Sequence, residues 1–152
     1  MIIRKYDKKN QFASIFNTIT GEYLRTGILK DGKDTNKDPF MTSFPELLDI
    51  GIMGHCNHGQ KGLCAQSYQN GLHSFQPNMT FENFKRIADE CKGKTFQFAL
   101  GGRGDVDQHE NFEEILKYCK SCNIVPNFTS SGLGFNSQIV DLCKKYCGAV
   151  AI

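Results

Sequence analysis

The chain has 152 residues, with 18 Lys and Arg against 16 Asp and Glu, for a formal net charge of +2. That length is enough for one domain with a real core, and the basic residues are scattered rather than striped, so nothing points to a nucleic-acid partner. The N-terminus MIIRKYDKKN is too polar for a signal peptide and no apolar run is long enough to cross a bilayer, so a soluble, cytoplasmic protein is expected. Seven cysteines are many for such a chain. In a reducing compartment they are expected as thiols or ligands rather than disulfides.

Residues 1–42 read as an N-terminal extension. Phe12 to Leu29, FASIFNTITGEYLRTGIL, predicts a β-hairpin around a turn at Asn17 to Gly21. Leu29 to Pro39 predicts a polar loop with Asp31-Gly32 as its turn.

From residue 43 to residue 152 the pattern alternates strand and helix. Leu47 to Met53 is an almost continuous apolar run between Pro45 and Gly54, which reads as a strand buried on both faces. A helix is predicted over Thr80–Cys91, with Thr80 as N-cap and Phe81, Phe84, Ile87 and Ala88 as its apolar stripe. Thr95–Leu100 follows as a strand, then a helix over Asn111–Cys119 with Glu113 and Glu114 in its first turns. Ile124–Thr129 is the third strand, Asn136–Tyr146 the third helix, and a fourth strand opens at Gly148. The expected fold class is α/β: a partial TIM-type (βα) barrel of about four parallel strands with a small N-terminal β-hairpin segment. A complete barrel typically needs about 250 residues. GAVAI ends inside a strand, so a fragment truncated in its fourth strand, or a domain whose edge a partner covers, is expected; an open sheet is the alternative.

In parallel α/β folds ligand chemistry gathers at the C-terminal ends of the strands. After the first strand come His55, Cys56, His58 and Cys64 with Gly54, Gly59 and Gly62, and soft thiolates there suggest a metal or iron–sulfur site. After the second come Gly101, Gly102, Arg103, Gly104 and Asp105, where glycine lets backbone approach a ligand. After the third come Thr129, Ser130 and Ser131. His55 and His58 read either as metal ligands or as polar loop residues. Asp105 reads either as a cofactor contact or as a turn residue capping a backbone N–H. His109 reads as a structural residue at a helix start.

PELLDIGIMGHC, CAQSYQNG, FALGGRGDVDQHENFEEIL and NIVPNFTSSG together resemble the N-terminal half of a radical S-adenosylmethionine enzyme, over residues 43–152. The resemblance implies a [4Fe–4S] cluster held by cysteines after the first strand, with S-adenosylmethionine chelating the remaining iron. It implies reductive cleavage of the sulfonium to a 5′-deoxyadenosyl radical that abstracts hydrogen from a substrate. Cys56 and Cys64 match cluster ligands. Gly101, Gly102 and Arg103, with Gly104 and Asp105 beside them, match the motif that receives the methionine ammonium group. Thr129, Ser130 and Ser131 match the segment that borders the cofactor. An electron donor such as a flavodoxin or ferredoxin is implied, and the substrate, a small molecule or a peptide, is not named by the sequence. No catalytic residue is assigned. The chain departs from the family in the wide spacing from Cys56 to Cys64. It departs again at Ser67-Tyr68-Gln69, where the family places a third cysteine beside an aromatic residue.

The remaining cysteines carry the alternative. Cys119-x-x-Cys122 and Cys143-x-x-x-Cys147 have zinc-compatible spacings. With Cys91 they all fall near helix C-termini, where small buried hydrophobes packing helix ends are the plainer expectation. A zinc-binding module, or a degenerate non-catalytic α/β module that has lost its cluster, stands beside the radical enzyme.

Overall fold

The computed structural model describes residues 1–56 and 76–152. Strands β1 (Ile2–Asp7), β2 (Phe12–Asn17) and β3 (Tyr23–Arg25) form an antiparallel sheet in that order. The β2–β3 turn is the expected one: Asn17 N–H donates to Glu22 O at 2.9 Å and Gly21 N–H to Asn17 O at 2.8 Å. The hairpin expectation missed β1. It joins because the chain reverses after it, the Asp7 carboxylate accepting the N–H groups of Lys9 (3.0 Å) and Asn10 (2.9 Å). The predicted polar loop tightens into a minimal hairpin, β4 (Leu29–Lys30) and β5 (Lys33–Asp34). Its turn residues Asp31 and Gly32 have φ of 52° and 74°, as a two-residue hairpin with right-handed twist requires.

The larger sheet contains β6 (Leu47–Met53), β7 (Gln97–Gly102), β8 (Val125–Thr129) and β9 (Ala149–Ala151), in that order and parallel throughout. Between them run α1 (Phe81–Cys91), α2 (Phe112–Ser121) and α3 (Ser137–Tyr146). Thr80 caps α1 by accepting Asn83 N–H at 3.3 Å, and Asn136 caps α3 by accepting Ile139 N–H at 3.0 Å. Helix α1 buries Phe84, Ala88 and Cys91, and α2 buries Phe112, Ile115, Leu116 and Cys119. These meet Ile50, Ile52, Phe98, Leu100 and Phe128 of the sheet in one core. The Phe84–Phe98 and Phe112–Phe128 rings meet edge to face, with centroids 6.0 and 5.6 Å apart. Helix α3 buries no residue fully, although Ile139 and Leu142 pack against the core.

Two expectations change. Strand β7 starts at Gln97 rather than Thr95, because Thr95 Oγ1 donates to Pro45 O at 2.8 Å and Phe96 N–H donates to Glu46 O at 2.8 Å, binding both residues to the approach of β6. Strand β6 is not buried on both faces. Ile50, Ile52 and Met53 are buried, whereas Leu47, Asp49 and Gly51 are exposed. Helices cover one face of the sheet, and the alternation of a strand then sorts its residues between core and open surface.

The two sheets meet at the N-terminal ends of the parallel strands. Phe16 of β2 lies 5.3 Å, ring to ring, from Phe96 and joins Val125 in a second small core. The small sheet therefore closes the end of the larger one that is opposite the predicted ligand loops.

Candidate functional site

The site begins where β6 ends. The β6–β7 register shifts between Gly51 and Met53, an irregularity that bends the strand as it leaves the sheet. Met79 N–H donates to Ile52 O at 2.8 Å, Gly54 N–H to Asn78 Oδ1 at 2.9 Å, and His55 Nδ1 lies 3.0 Å from Gln76 O. A Cβ on Gly54 would fall 2.2 Å from Pro77 O, so only glycine fits between these segments. Asn78 Nδ2 also donates to Glu110 Oε2 at 2.7 Å, and this bond holds the Glu110 carboxyl below its ordinary range. The exit of β6 is thereby tied to the start of α2.

Its other flank is the glycine motif after β7. Arg103 N–H donates to Met53 O at 2.8 Å. Gly102, with φ of +127°, would place a Cβ 2.3 Å from Met53 O, and Gly104 would place one 2.1 Å from His55 O and 3.0 Å from Cys56 Cα. These glycines are required by protein backbone: the motif is pressed against the turn that carries Cys56, which is itself partly buried. Gly101 differs, since a Cβ there would meet nothing within 4 Å. It faces an open groove with Thr129.

The β8 loop is stitched to the β7 loop by two carboxylate–serine pairs. Ser131 donates to Asp105 through its N–H (2.9 Å) and its Oγ (2.5 Å). Ser130 Oγ donates to Asp107 Oδ1 at 2.6 Å, while Gln108 Nε2 donates to Asp107 Oδ2 at 2.7 Å. Ser130 and Asp107 are both buried. Of the two readings of Asp105, the geometry displays the capping of a backbone N–H. Asp107 escaped the sequence reading altogether. Its only signal was a second aspartate two residues after Asp105 in GDVDQ.

His109 is buried, as a structural residue at the start of α2 should be. Its Nδ1 accepts Asn111 N–H at 3.0 Å and its Nε2 lies 3.0 Å from Met79 O. A donor on one nitrogen and a carbonyl on the other select the neutral Nε2–H tautomer. His58, Cys64 and Ser67 lie outside the described residues.

The helix-end cysteines do not support the zinc alternative. Cys91, Cys119 and Cys122 are core residues. Burial pushes the Cys119 thiol far above its ordinary range, the Cys147 thiol up to about 12, and those of Cys122 and Cys143 upward too. Among the described residues, no group of three or more His, Cys, Asp or Glu side chains is placed to hold a metal ion. Cys56 is the one thiol the described residues place at the mouth of the parallel strands, so the described donors alone do not complete a cluster site.

No protein-family model matches the chain, and no curated protein matches it. Solved structures do. The crystal structure of Streptococcus suis SuiB bound to precursor peptide SuiA superposes with a TM-score of 0.63 at 12% identity, over 97% of this chain and 45% of SuiB. SuiB bound to S-adenosylmethionine gives 0.61 at 12% identity over the same shares. A further SuiB structure gives 0.59 at 14% identity, over 97% of this chain and 44% of that one. At such identities the likeness shows the fold. The partial βα barrel with its small antiparallel sheet is an architecture shared with SuiB, and the chain spans less than half of SuiB's length. Among the described residues no helix is long and apolar enough to cross a membrane.

Proposed function

We propose that the chain is the cofactor-binding half of a radical S-adenosylmethionine barrel, with residues 1–42 as an extension and residues 43–152 as the barrel segment. The observation that carries this reading is the packing of the Gly102–Gly104 backbone directly onto the His55–Cys56 turn, at the C-terminal mouth of parallel strands. That contact puts a thiol beside exposed glycine backbone, which is what a cluster and an amino-acid cofactor chelated to it require. The fold likeness to SuiB, a protein seen with S-adenosylmethionine and with a precursor peptide, supports the same cofactor and makes a peptide the favoured substrate class.

In this reading Cys56 and Cys64 hold two irons of a [4Fe–4S] cluster. When bound, the cluster supplies the electron that cleaves the sulfonium, and a flavodoxin or ferredoxin supplies that electron in turn. The chain's own residues orient the cofactor. Gly101 and the Arg103–Asp105 backbone receive the methionine end, and Thr129 borders the groove. The Asp105–Ser131 and Asp107–Ser130 pairs fix the loop that carries Thr129 rather than touching the cofactor themselves. The family's third cysteine is absent at Ser67-Tyr68-Gln69, so this segment supplies two of the three expected thiolates, Cys56 and Cys64.

The test is anaerobic reconstitution with iron and sulfide, followed by electron paramagnetic resonance with and without S-adenosylmethionine, on the wild type and on Cys56→Ala. A cluster signal altered by S-adenosylmethionine and lost in the variant is expected. No cluster, or one indifferent to Cys56, overturns the reading in favour of a degenerate relative.

A further inference from the structure

Beyond its first row of Leu47, Gln97 and Val125, the inner face of the parallel sheet, away from the helices, is built mostly from small residues. In register, one row across it reads Asp49, Ala99, Asn127 and Ala149, and the next row toward the mouth begins Gly51, Gly101. Barrel interiors usually carry bulky branched side chains at such positions and are filled by them. Here they leave a groove of about 520 Å³ that runs from Asp49 and Ala99 to the glycine motif and Thr129.

Asp49 is the one charged side chain on this face of the four strands. It is exposed, and among the described residues no hydrogen-bond donor or cation reaches its carboxylate. The polar neighbour in its row, Asn127, turns its amide to Gln97, Nδ2 donating to Oε1 at 2.9 Å. In register with Asp49 stands the methyl group of Ala99, one strand spacing or about 4.8 Å away. A ligand lying in the groove takes water from this carboxylate. Covering an unpaired carboxylate is costly unless the ligand brings the opposite charge and a hydrogen-bond donor.

We propose that Asp49 is a specificity-determining residue that selects a peptide substrate bearing a cationic side chain, lysine or arginine, and holds that side chain at the end of the groove far from Cys56. The proposal rests on the groove being the substrate side of the radical site. Ala99 and Ala149 leave room for the peptide main chain to cross the strands, and Asp49 supplies the one charge that the four strands present to it.

The test uses the metal-free full chain and three blocked pentapeptides, Gly-Gly-Xaa-Gly-Gly with lysine, norleucine or glutamate at the centre, titrated by calorimetry at low ionic strength. The lysine peptide is expected to bind at least tenfold more tightly than the norleucine peptide. Added salt should narrow that margin, because an exposed ion pair is screened. Asp49→Asn should abolish it with the thermal midpoint unchanged. Equal or undetectable binding of the lysine and norleucine peptides, or a lysine preference that survives Asp49→Asn, overturns the proposal. Failed cluster reconstitution would remove the radical chemistry while leaving this readout intact. A normal cluster with no lysine preference would remove the role of Asp49 alone.

Discussion

The two faces of the parallel sheet are made by the same strands and have opposite characters. The helix side carries Ile50, Ile52, Phe98, Leu100 and Phe128, all buried in one core. One residue over along each strand, the inner side carries Asp49, Ala99, Gly101 and Asn127 around a groove. The first face uses volume to hold the fold. The second withholds volume, and so leaves space for something that is not protein. The contrast separates residues whose loss unfolds the chain from residues whose loss should leave it folded and alter what it binds.

The sharpest way to break that contrast is a neighbouring pair on β7. Phe98 is fully buried, and Phe98→Ala should cost about 3–5 kcal/mol, through lost transfer energy and a cavity among Phe84, Leu100 and the helices. Ala99→Leu points into the groove and should change stability by less than about 0.5 kcal/mol. Urea unfolding of both variants checks this. A large loss for Ala99→Leu would mean that the inner face is filled after all.

A second pair divides the glycine motif. Gly102→Ala forces a side chain into a left-handed conformation and against Met53 O, and should cost about 2–3 kcal/mol. Gly101→Ala meets nothing and should be stable within about 0.5 kcal/mol, while weakening S-adenosylmethionine binding in calorimetry if the cofactor lies against that backbone. Similar losses from the two variants would erase the distinction between packing glycine and ligand-facing glycine.

The smallest effect lies where the N-terminal sheet closes the lower end of both faces. The Lys5 amine sits 3.8 Å above the Phe96 ring centroid, without a hydrogen-bond partner among the described residues. Burial pulls its pKa from 10.5 down to about 8, with Glu46 opposing. Between those values the unfolded chain holds a proton that the folded chain has lost, so this group makes stability rise with pH across the window. Below about pH 8 the burial penalty is present in full. Lys5→Met should therefore raise the urea midpoint, by more at pH 7 than at pH 10.5. An equal gain at both values would show that Lys5 keeps its proton in the fold.

Much of the architecture was legible in the chain. Thr80 announced its helix, because a short side chain that accepts a backbone N–H is a local device needing no distant partner. Asn17 to Gly21 and Asp31-Gly32 announced their turns for the same reason. Strand β1 was not legible, because Ile2, Arg4, Lys5 and Tyr6 alternate only loosely and take their meaning from the pairing with β2. Of the candidate site, Cys56 and the glycine run could be picked out by residue type. What each glycine does could not, since Gly101, Gly102 and Gly104 look alike until Met53 and His55 are placed beside two of them.

The sequence by itself determined the order of elements, the Thr80 helix cap, the turns and the grouping of cysteine, glycine and hydroxyl residues after successive strands, because each depends on contacts within a few residues along the chain. Only the tertiary structure decided which side of β6 faces the core, that Asp105 and Asp107 bind serines of the next loop, and that Asp49 lines a groove without a partner among the described residues. These depend on residues from about 20 to 50 positions away in the sequence, whose placement follows from strand register and helix packing rather than from any local preference.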